Sequence, residues 1–198
     1  MILMSIIKII FYYVKVFLMR KSEKTICIPT NDHDKRFLIS KRGENEMLAI
    51  GLNPSTANEQ NLDPTTKNIE AIAKFNGCDG WCIVNLYPVR MSSPEHLPIK
   101  ANKTLSIKNI DFIIETLNNS KYNFIKILCC WGNFVSKRTY LKKNLNQLLL
   151  HLNNNGYELE CIGLTMLGNP YHTSPLTINR LFGGIKNVTL KKFNQKLK

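Results

Sequence analysis

The sequence predicts an α/β fold: a three-layer sandwich with a four-stranded parallel sheet and helices on both faces. Two observations lead to this prediction. Strand patterns alternate with helix patterns along the chain, and each predicted strand is a short, continuous apolar run, which is typical of strands buried on both faces. The predicted strands are Met47–Leu52, Trp81–Leu86, Ile125–Trp131 and Leu159–Leu164.

Apolar residues at helical spacing predict the intervening helices. One helix is expected over Thr66–Asn76, where Gly77 ends it, and another over Leu105–Leu117. A third follows Trp131 and runs to about His151, and a last, basic helix is expected over Val188–Leu197.

The N-terminal segment differs from the rest of the chain. Met1–Met19 is almost entirely apolar, and Lys8 and Lys15 would share one face of a helix. We expect residues 1–21 to form a helix that docks on the domain or a partner, with a membrane anchor or a start codon placed too far upstream as alternatives. Residues 22–198 are predicted to form a single domain.

The charge balance indicates polyanionic partners. The chain has 27 Lys and Arg residues against 14 Asp and Glu residues, a formal net charge of +13. Such an excess attracts nucleic acid or an anionic membrane surface. We expect DNA as the main partner, with other replication or repair proteins as further candidates and a membrane as the minority alternative.

The six cysteines do not have the spacing of a metal site. No pair shows the Cys-x-x-Cys pattern, and Cys129 and Cys130 lie within an apolar run. We therefore expect reduced, structural thiols, no metal and no cofactor. Such thiols favour a cytoplasmic location, or the nucleus or a viral factory if the source is eukaryotic or viral.

Polar residues follow the predicted strands. In open parallel sheets, ligands bind beyond the carboxyl ends of the strands. This rule selects Asn53–Ser55, Asn85–Arg90, Gly132–Asn133 and Gly168–Leu176 as the segments that form the site.

Several of these segments match known motifs in the same order. The most specific is His172-Thr173-Ser174-Pro175-Leu176-Thr177, followed by Arg180, Phe182 and Gly183; the others are Gly51-Leu52-Asn53-Pro54, Asp63-Pro64-Thr65-Thr66-Lys67-Asn68-Ile69, Val84-Asn85-Leu86 and Trp131-Gly132-Asn133-Phe134-Val135-Ser136-Lys137. Together they resemble the uracil-DNA glycosylase superfamily over about Met47 to Lys192. Met47–Leu176 also resembles domain-of-unknown-function family 1643, for which no activity is established.

The glycosylase resemblance implies a role for each matching residue. Asn53 would position the attacking water, Asn85 would read the base edge, and His172 would donate to the base oxygen as negative charge builds on it. Residues implied to contact DNA are Thr65, Ser174, Leu176 (as the wedge that replaces the flipped nucleotide), Arg180 and Lys137.

The chain departs from the glycosylase pattern at three points. Asn53 cannot act as a general base, so Asp63 or Glu59 would have to supply that function. Ser55 stands where the uracil-specific branch has a Tyr, which leaves room for thymine or a larger 5-substituent. No aromatic residue occurs within Ser55–Lys74, so Tyr87 or Tyr171 would stack on the base.

These observations predict a DNA glycosylase that hydrolyses the N-glycosidic bond of a flipped uracil, thymine-like or modified base, as in base-excision DNA repair. One alternative is a catalytically weak DNA-binding module that recruits or clamps replication or repair proteins. Another is a hydrolase of free nucleosides or nucleotides.

Overall fold

The computed structural model describes residues 24–194, so the predicted N-terminal helix over residues 1–21 lies outside it. The described chain forms one seven-stranded sheet and four α-helices. The strands are β1 Thr25–Ile28, β2 Leu38–Lys41, β3 Glu46–Gly51, β4 Gly80–Asn85, β5 Phe124–Cys129, β6 Leu159–Cys161 and β7 Lys191–Lys192, and the helices are α1 Pro64–Phe75, α2 Lys103–Asn118, α3 Thr139–Asn154 and α4 Pro175–Phe182. Within residues 24–194, no helix is long and apolar enough to cross a membrane.

The α/β class is confirmed, but the prediction of a four-stranded parallel sheet is wrong for the sheet as a whole. The strand order is β1-β2-β4-β3-β5-β6-β7. The pairs β4–β3, β3–β5 and β5–β6 are parallel. β1, β2 and β7 add antiparallel pairs at the two sides, which makes the sheet mixed. These added strands are only two to four residues long, too short for an apolar pattern to identify them, and pairing with their neighbours holds them extended.

The predicted basic helix over Val188–Leu197 is wrong where the structure describes it. Lys191 and Lys192 instead pair with β6. The backbone N–H of Phe193 donates to the carbonyl oxygen of Leu159 at 2.8 Å, and its ring meets Trp131 edge-on. Burial of one aromatic residue in the core therefore overrides the helical pattern of the lysines.

Helices cover both faces of the sheet. Along β4, Cys82 and Val84 belong to the apolar cluster formed with α2 and α3. Trp81 and Ile83 belong to the cluster formed with α1 and α4. Because alternate residues of a strand point to opposite faces, this division places α2 and α3 on one face and α1 and α4 on the other.

Side-chain caps fix where three helices begin. Asp63 accepts a hydrogen bond from the backbone N–H of Thr66 at 2.8 Å and so begins α1. Asn102 begins α2 and Ser174 begins α4 in the same way. Each cap satisfies a backbone donor that the helix itself cannot. Helix α4, of which Pro175 is the first residue, was not predicted from the sequence.

Buried polar side chains attach α2 and α3 to the end of β4. The side-chain amide of Asn109 donates to the carbonyl oxygen of Asn85 at 2.8 Å. Asn144 donates to the carbonyl oxygen of Leu86 at 2.8 Å and accepts from Ser106 at 2.9 Å. The backbone on which Asn85 is mounted is thus held by both helices.

We expect Asn144→Ala to lower the free energy of unfolding by about 1–3 kcal/mol, because it leaves the buried Leu86 carbonyl and Ser106 hydroxyl without their partner. Asn146→Ala is the matched control, since Asn146 is exposed on the same helix. Urea denaturation measures both. Equal midpoints for the two variants would show that this network does not stabilise the fold.

Candidate functional site

A cleft of about 490 Å³ opens at the carboxyl ends of the parallel strands. Its walls come from the segments after β3, β4 and β5 and from the loop before α4. The connection that follows β3 runs to α1 on one face of the sheet, and the connection that follows β4 runs to α2 on the other face. The cleft lies where these two connections diverge, which is where open α/β sheets bind ligands. Of the sequence-predicted residues, it brings together Asn53, Ser55, Asp63, Thr65, Asn85 and His172.

The amide of Asn53 has a fixed orientation. Its Nδ2 donates to the carbonyl oxygens of Pro54 at 3.0 Å and Met91 at 2.8 Å. Both N–H groups are thereby used, which leaves Oδ1 as the atom that can accept a hydrogen bond from water or a ligand. Asn53 can hold and orient a water molecule but cannot take its proton.

Asn85 has an unpaired donor in the wall of the cleft. The residue is 3% exposed, and its Nδ2 has no hydrogen-bond partner among the described residues. Gly51 lies opposite Asn85 in the β3–β4 register, and a Cβ at position 51 would come within 2.7 Å of Asn85 Oδ1. Glycine at position 51 therefore makes room for this amide. Because an unpaired buried donor is costly, a ligand acceptor would bind well here.

His172 also lines the cleft. Its Cβ is close to Gly132, where an added Cβ would lie 3.5 Å away, and Gly132 has a φ of 70°. Asn68 of α1 holds the next residue by donating to the carbonyl oxygen of Thr173 at 2.9 Å. Although the side chain is open to the cleft, the surrounding protein lowers the pKa of His172 below 6.5, and Asp63 opposes this shift. The neutral imidazole is the main form at neutral pH.

Asp63 is the carboxylate that lines the cleft. Besides capping α1 through Oδ1, it accepts a weak hydrogen bond at 3.4 Å from the backbone N–H of Ala57 through Oδ2. Both oxygens thus have structural partners, although each retains a second lone pair. Thr65 lies beside it in the first turn of α1 and also lines the cleft. Glu59, the other candidate base, lines a neighbouring cavity instead.

Ser55 lies on the boundary between two cavities. It lines the cleft and also a second cavity of about 450 Å³, and Thr56, Met91 and Ser92 likewise line both. These four residues therefore lie between the two cavities. Ser55 is small, so its side chain takes up little of the space on either side.

Neither predicted stacking residue is among the residues that line the cleft. Tyr87 is 1% exposed; its ring contacts Tyr140, and its hydroxyl accepts a hydrogen bond from the backbone N–H of Asn102 at 3.1 Å. Tyr171 packs beside Gly163, against the cluster that α1 and α4 cover. Tyr87 is thus buried in the core and Tyr171 is partly buried against it.

The other residues predicted to contact DNA lie outside the cleft. Ser174 caps α4, and Leu176 and Arg180 are exposed on that helix, Leu176 by 76%. Lys137 is exposed at the end of the turn Asn133–Lys137. The structure thus presents three of the four to solvent, with Ser174 serving as a helix cap.

Two residues that line the cleft were not predicted from the sequence. Phe134 is half-buried on its wall, with the guanidinium of Arg138 5.0 Å from the ring centre. Arg36 is 3% exposed and reaches the cleft from the segment before β2. Phe134 belongs to a strand-end motif and could have been found there. Nothing in the local sequence marks Arg36, because its burial arises from distant parts of the chain.

No group of three or more His, Cys, Asp or Glu side chains within residues 24–194 could hold a metal ion. All six cysteines are buried and free. Burial raises the pKa of Cys130, the cysteine that lines the cleft, to about 12. Its thiol is therefore protonated at neutral pH and a poor nucleophile.

We expect nuclear magnetic resonance to give His172 a pKa below 6.5, and Asp63→Asn to lower it further, because the variant removes the charge that opposes the shift. Asparagine still caps α1. Asp111→Asn, exposed on α2, is the control. The unfolded chain binds a proton at His172 more tightly than the folded protein does. The free energy of unfolding therefore decreases as the pH falls from 6.5 toward the pKa of His172 in the folded protein. An unchanged or raised pKa in Asp63→Asn would contradict this electrostatic description.

The family described as protein of unknown function (DUF1643) matches residues 36–176, which is well over half of the chain. No curated protein and no solved structure matches significantly. The matched segment begins at Arg36 and contains Asn53, Asn85 and His172. The resemblance to the uracil-DNA glycosylase superfamily stays a prediction. The chain belongs to the DUF1643 family.

Proposed function

We propose that the protein is a DNA glycosylase that hydrolyses the N-glycosidic bond of a uracil, thymine-like or modified base flipped into the cleft. This proposal rests on one observation. Asn53, Asn85 and His172 all line the same cleft at the carboxyl ends of the strands. The net charge of +13 supports DNA as the substrate. No metal or cofactor is invoked.

The proposed binding step uses the unpaired amide of Asn85. A base extruded from the duplex loses its pairing and stacking, at a cost of a few kcal/mol. In the cleft, Asn85 Nδ2 would donate to a carbonyl oxygen of the base, while the half-buried ring of Phe134 offers a surface for stacking. Thr65, which lines the same cleft, would contact a phosphate beside the flipped nucleotide.

The proposed chemical step depends on charge development on the base. As the glycosidic bond breaks, the neutral imidazole of His172 donates an N–H hydrogen bond to the base oxygen, which becomes more negative. Asn53 Oδ1 holds the water that attacks C1′. An amide cannot accept the proton, so any general-base assistance, which is typically worth about two to four orders of magnitude, would have to come from Asp63.

A DNA-binding module without useful catalytic activity is the second candidate. The hydrogen bonds that Asp63 accepts from the backbone favour it, because they reduce its availability as a general base. This carboxylate is engaged by the first turn of α1 and by the loop at Ala57. A protein of this kind would hold an extruded base without cleaving it. Its role would be to recruit or clamp replication or repair proteins.

The proposal is tested with single- and double-stranded oligonucleotides that carry one uracil, one thymine opposite guanine, or one 5-hydroxymethyluracil. We expect abasic sites, detected by strand cleavage in alkali, and a loss of about 100-fold in Asn85→Ala. Asn146→Ala, distant on α3, should retain the wild-type rate. Tight binding without abasic sites would favour the binding module, and release of bases from free nucleosides alone would favour the nucleoside hydrolase.

A second prediction concerns Ser55. We expect Ser55→Tyr to slow excision of 5-substituted bases far more than excision of uracil, because the ring would occupy space in the cleft that a 5-substituent needs, and overpacking typically costs about 1–3 kcal/mol. Single-turnover rates on oligonucleotides that differ only at the 5-position measure this, with Ser55→Ala as the small control. Equal losses on both substrates would mean that Ser55 does not face the base.

A further inference from the structure

The proposed roles of Asn53, Asn85 and His172 leave one buried cation of the cleft without a function. Arg36 is 3% exposed, and its Nη1 donates to the carbonyl oxygen of Ala57 at 2.9 Å. Its Nε is buried without a hydrogen-bond partner among residues 24–194. Within the same residues, no carboxylate lies within 4.0 Å of the guanidinium.

Arg36 keeps its charge despite this environment. Burial, with a smaller contribution from the nearby Arg90, lowers the pKa of Arg36 to about 10, while Cys27 and Asp63 oppose the shift. The guanidinium is still protonated at neutral pH. Removing such a charge from water without a paired anion costs several kcal/mol. An anionic group bound in the cleft would offset this cost.

A second unsatisfied donor lies in the same cleft. Asn85 Nδ2 is also buried without a partner among the described residues. Arg36 offers only donors, and the free position on Asn85 is a donor as well. A ligand edge that presents acceptors and gains negative charge matches both residues, whereas a cationic edge or one rich in donors does not.

We propose that Arg36 is a further catalytic residue, which binds the departing base and stabilises the negative charge on it. This inference rests on the glycosylase function proposed above. The bond between C1′ and the base nitrogen breaks, and its electron pair passes to the base, which becomes an anion held by Arg36 and Asn85. The oxygen of water bonds to C1′ and its proton passes to solvent. The base takes up a proton from solvent when it leaves.

This role accounts for the absence of a carboxylate at position 53. Strong stabilisation of the leaving group lets the glycosidic bond break before the water attacks, so the water needs orientation more than deprotonation. Asn53, whose amide is fixed by two backbone carbonyls, supplies that orientation. The substrates are then bases that leave as stable anions, such as pyrimidines with two ring carbonyl groups.

The test compares single-turnover excision of uracil and of 5-fluorouracil, the better leaving group, from otherwise identical oligonucleotides. We expect Arg36→Met to slow uracil excision about 100-fold or more and 5-fluorouracil excision markedly less, because a stabilised leaving group needs less help. Arg36→Lys, which keeps the charge, should recover part of the loss. Arg42→Met is the control, since Arg42 pairs with the buried Glu46 at the other end of β3. It should affect both substrates equally. Equal losses in Arg36→Met would overturn the proposal.

A binding measurement on the wild-type protein keeps the proposal testable if Arg36→Met does not fold. Free 5-fluorouracil ionises at a lower pH than uracil, within the range where Arg36 is charged. We expect calorimetry to show tighter binding as this base becomes an anion, and affinity that does not rise would overturn the anion site. If the wild-type protein excises no base, the proposed function fails, and this measurement alone decides whether Arg36 binds anions.

Discussion

The contact between Gly51 and Asn85 is the constraint on which the geometry of the cleft depends. The two residues end adjacent parallel strands and lie opposite each other, so the side chain of Asn85 occupies the space that a Cβ on residue 51 would need. Asn109 and Asn144 hold the backbone on the other side of this point. A side chain at position 51 would displace the amide of Asn85 and with it the unpaired donor in the wall of the cleft.

Much of the fold could be predicted because the sequence of each central strand is itself typical of a buried strand. β3, β4 and β5 are long enough to show a continuous apolar run, and each leads into a polar turn. The antiparallel strands could not be found in this way. β2 is extended because it pairs with β4, and β7 because it pairs with β6, so their conformation depends on residues far away in sequence.

The residues of the candidate site also differ in how well the sequence predicts them. Asn53, Asn85 and His172 could be predicted to meet, because strand ends of a parallel sheet share one edge and the three residues follow strands. Tyr87 follows the same strand as Asn85, but its ring turns into the core and packs on Tyr140. Arg36 reaches the cleft through tertiary packing alone. Sequence thus predicts which edge of the sheet bears the site better than it predicts which side chains face the cavity.

The lysine pair of β7 has a consequence for how the molecule behaves at high concentration. An outermost strand exposes backbone donors and acceptors to which another chain can add a strand. Here that strand is only two residues long, and both residues are exposed lysines. Two copies approaching through this edge would bring like charges together over a very short ladder. The protein is thereby protected on this side against self-association through its sheet, without any need for a covering helix.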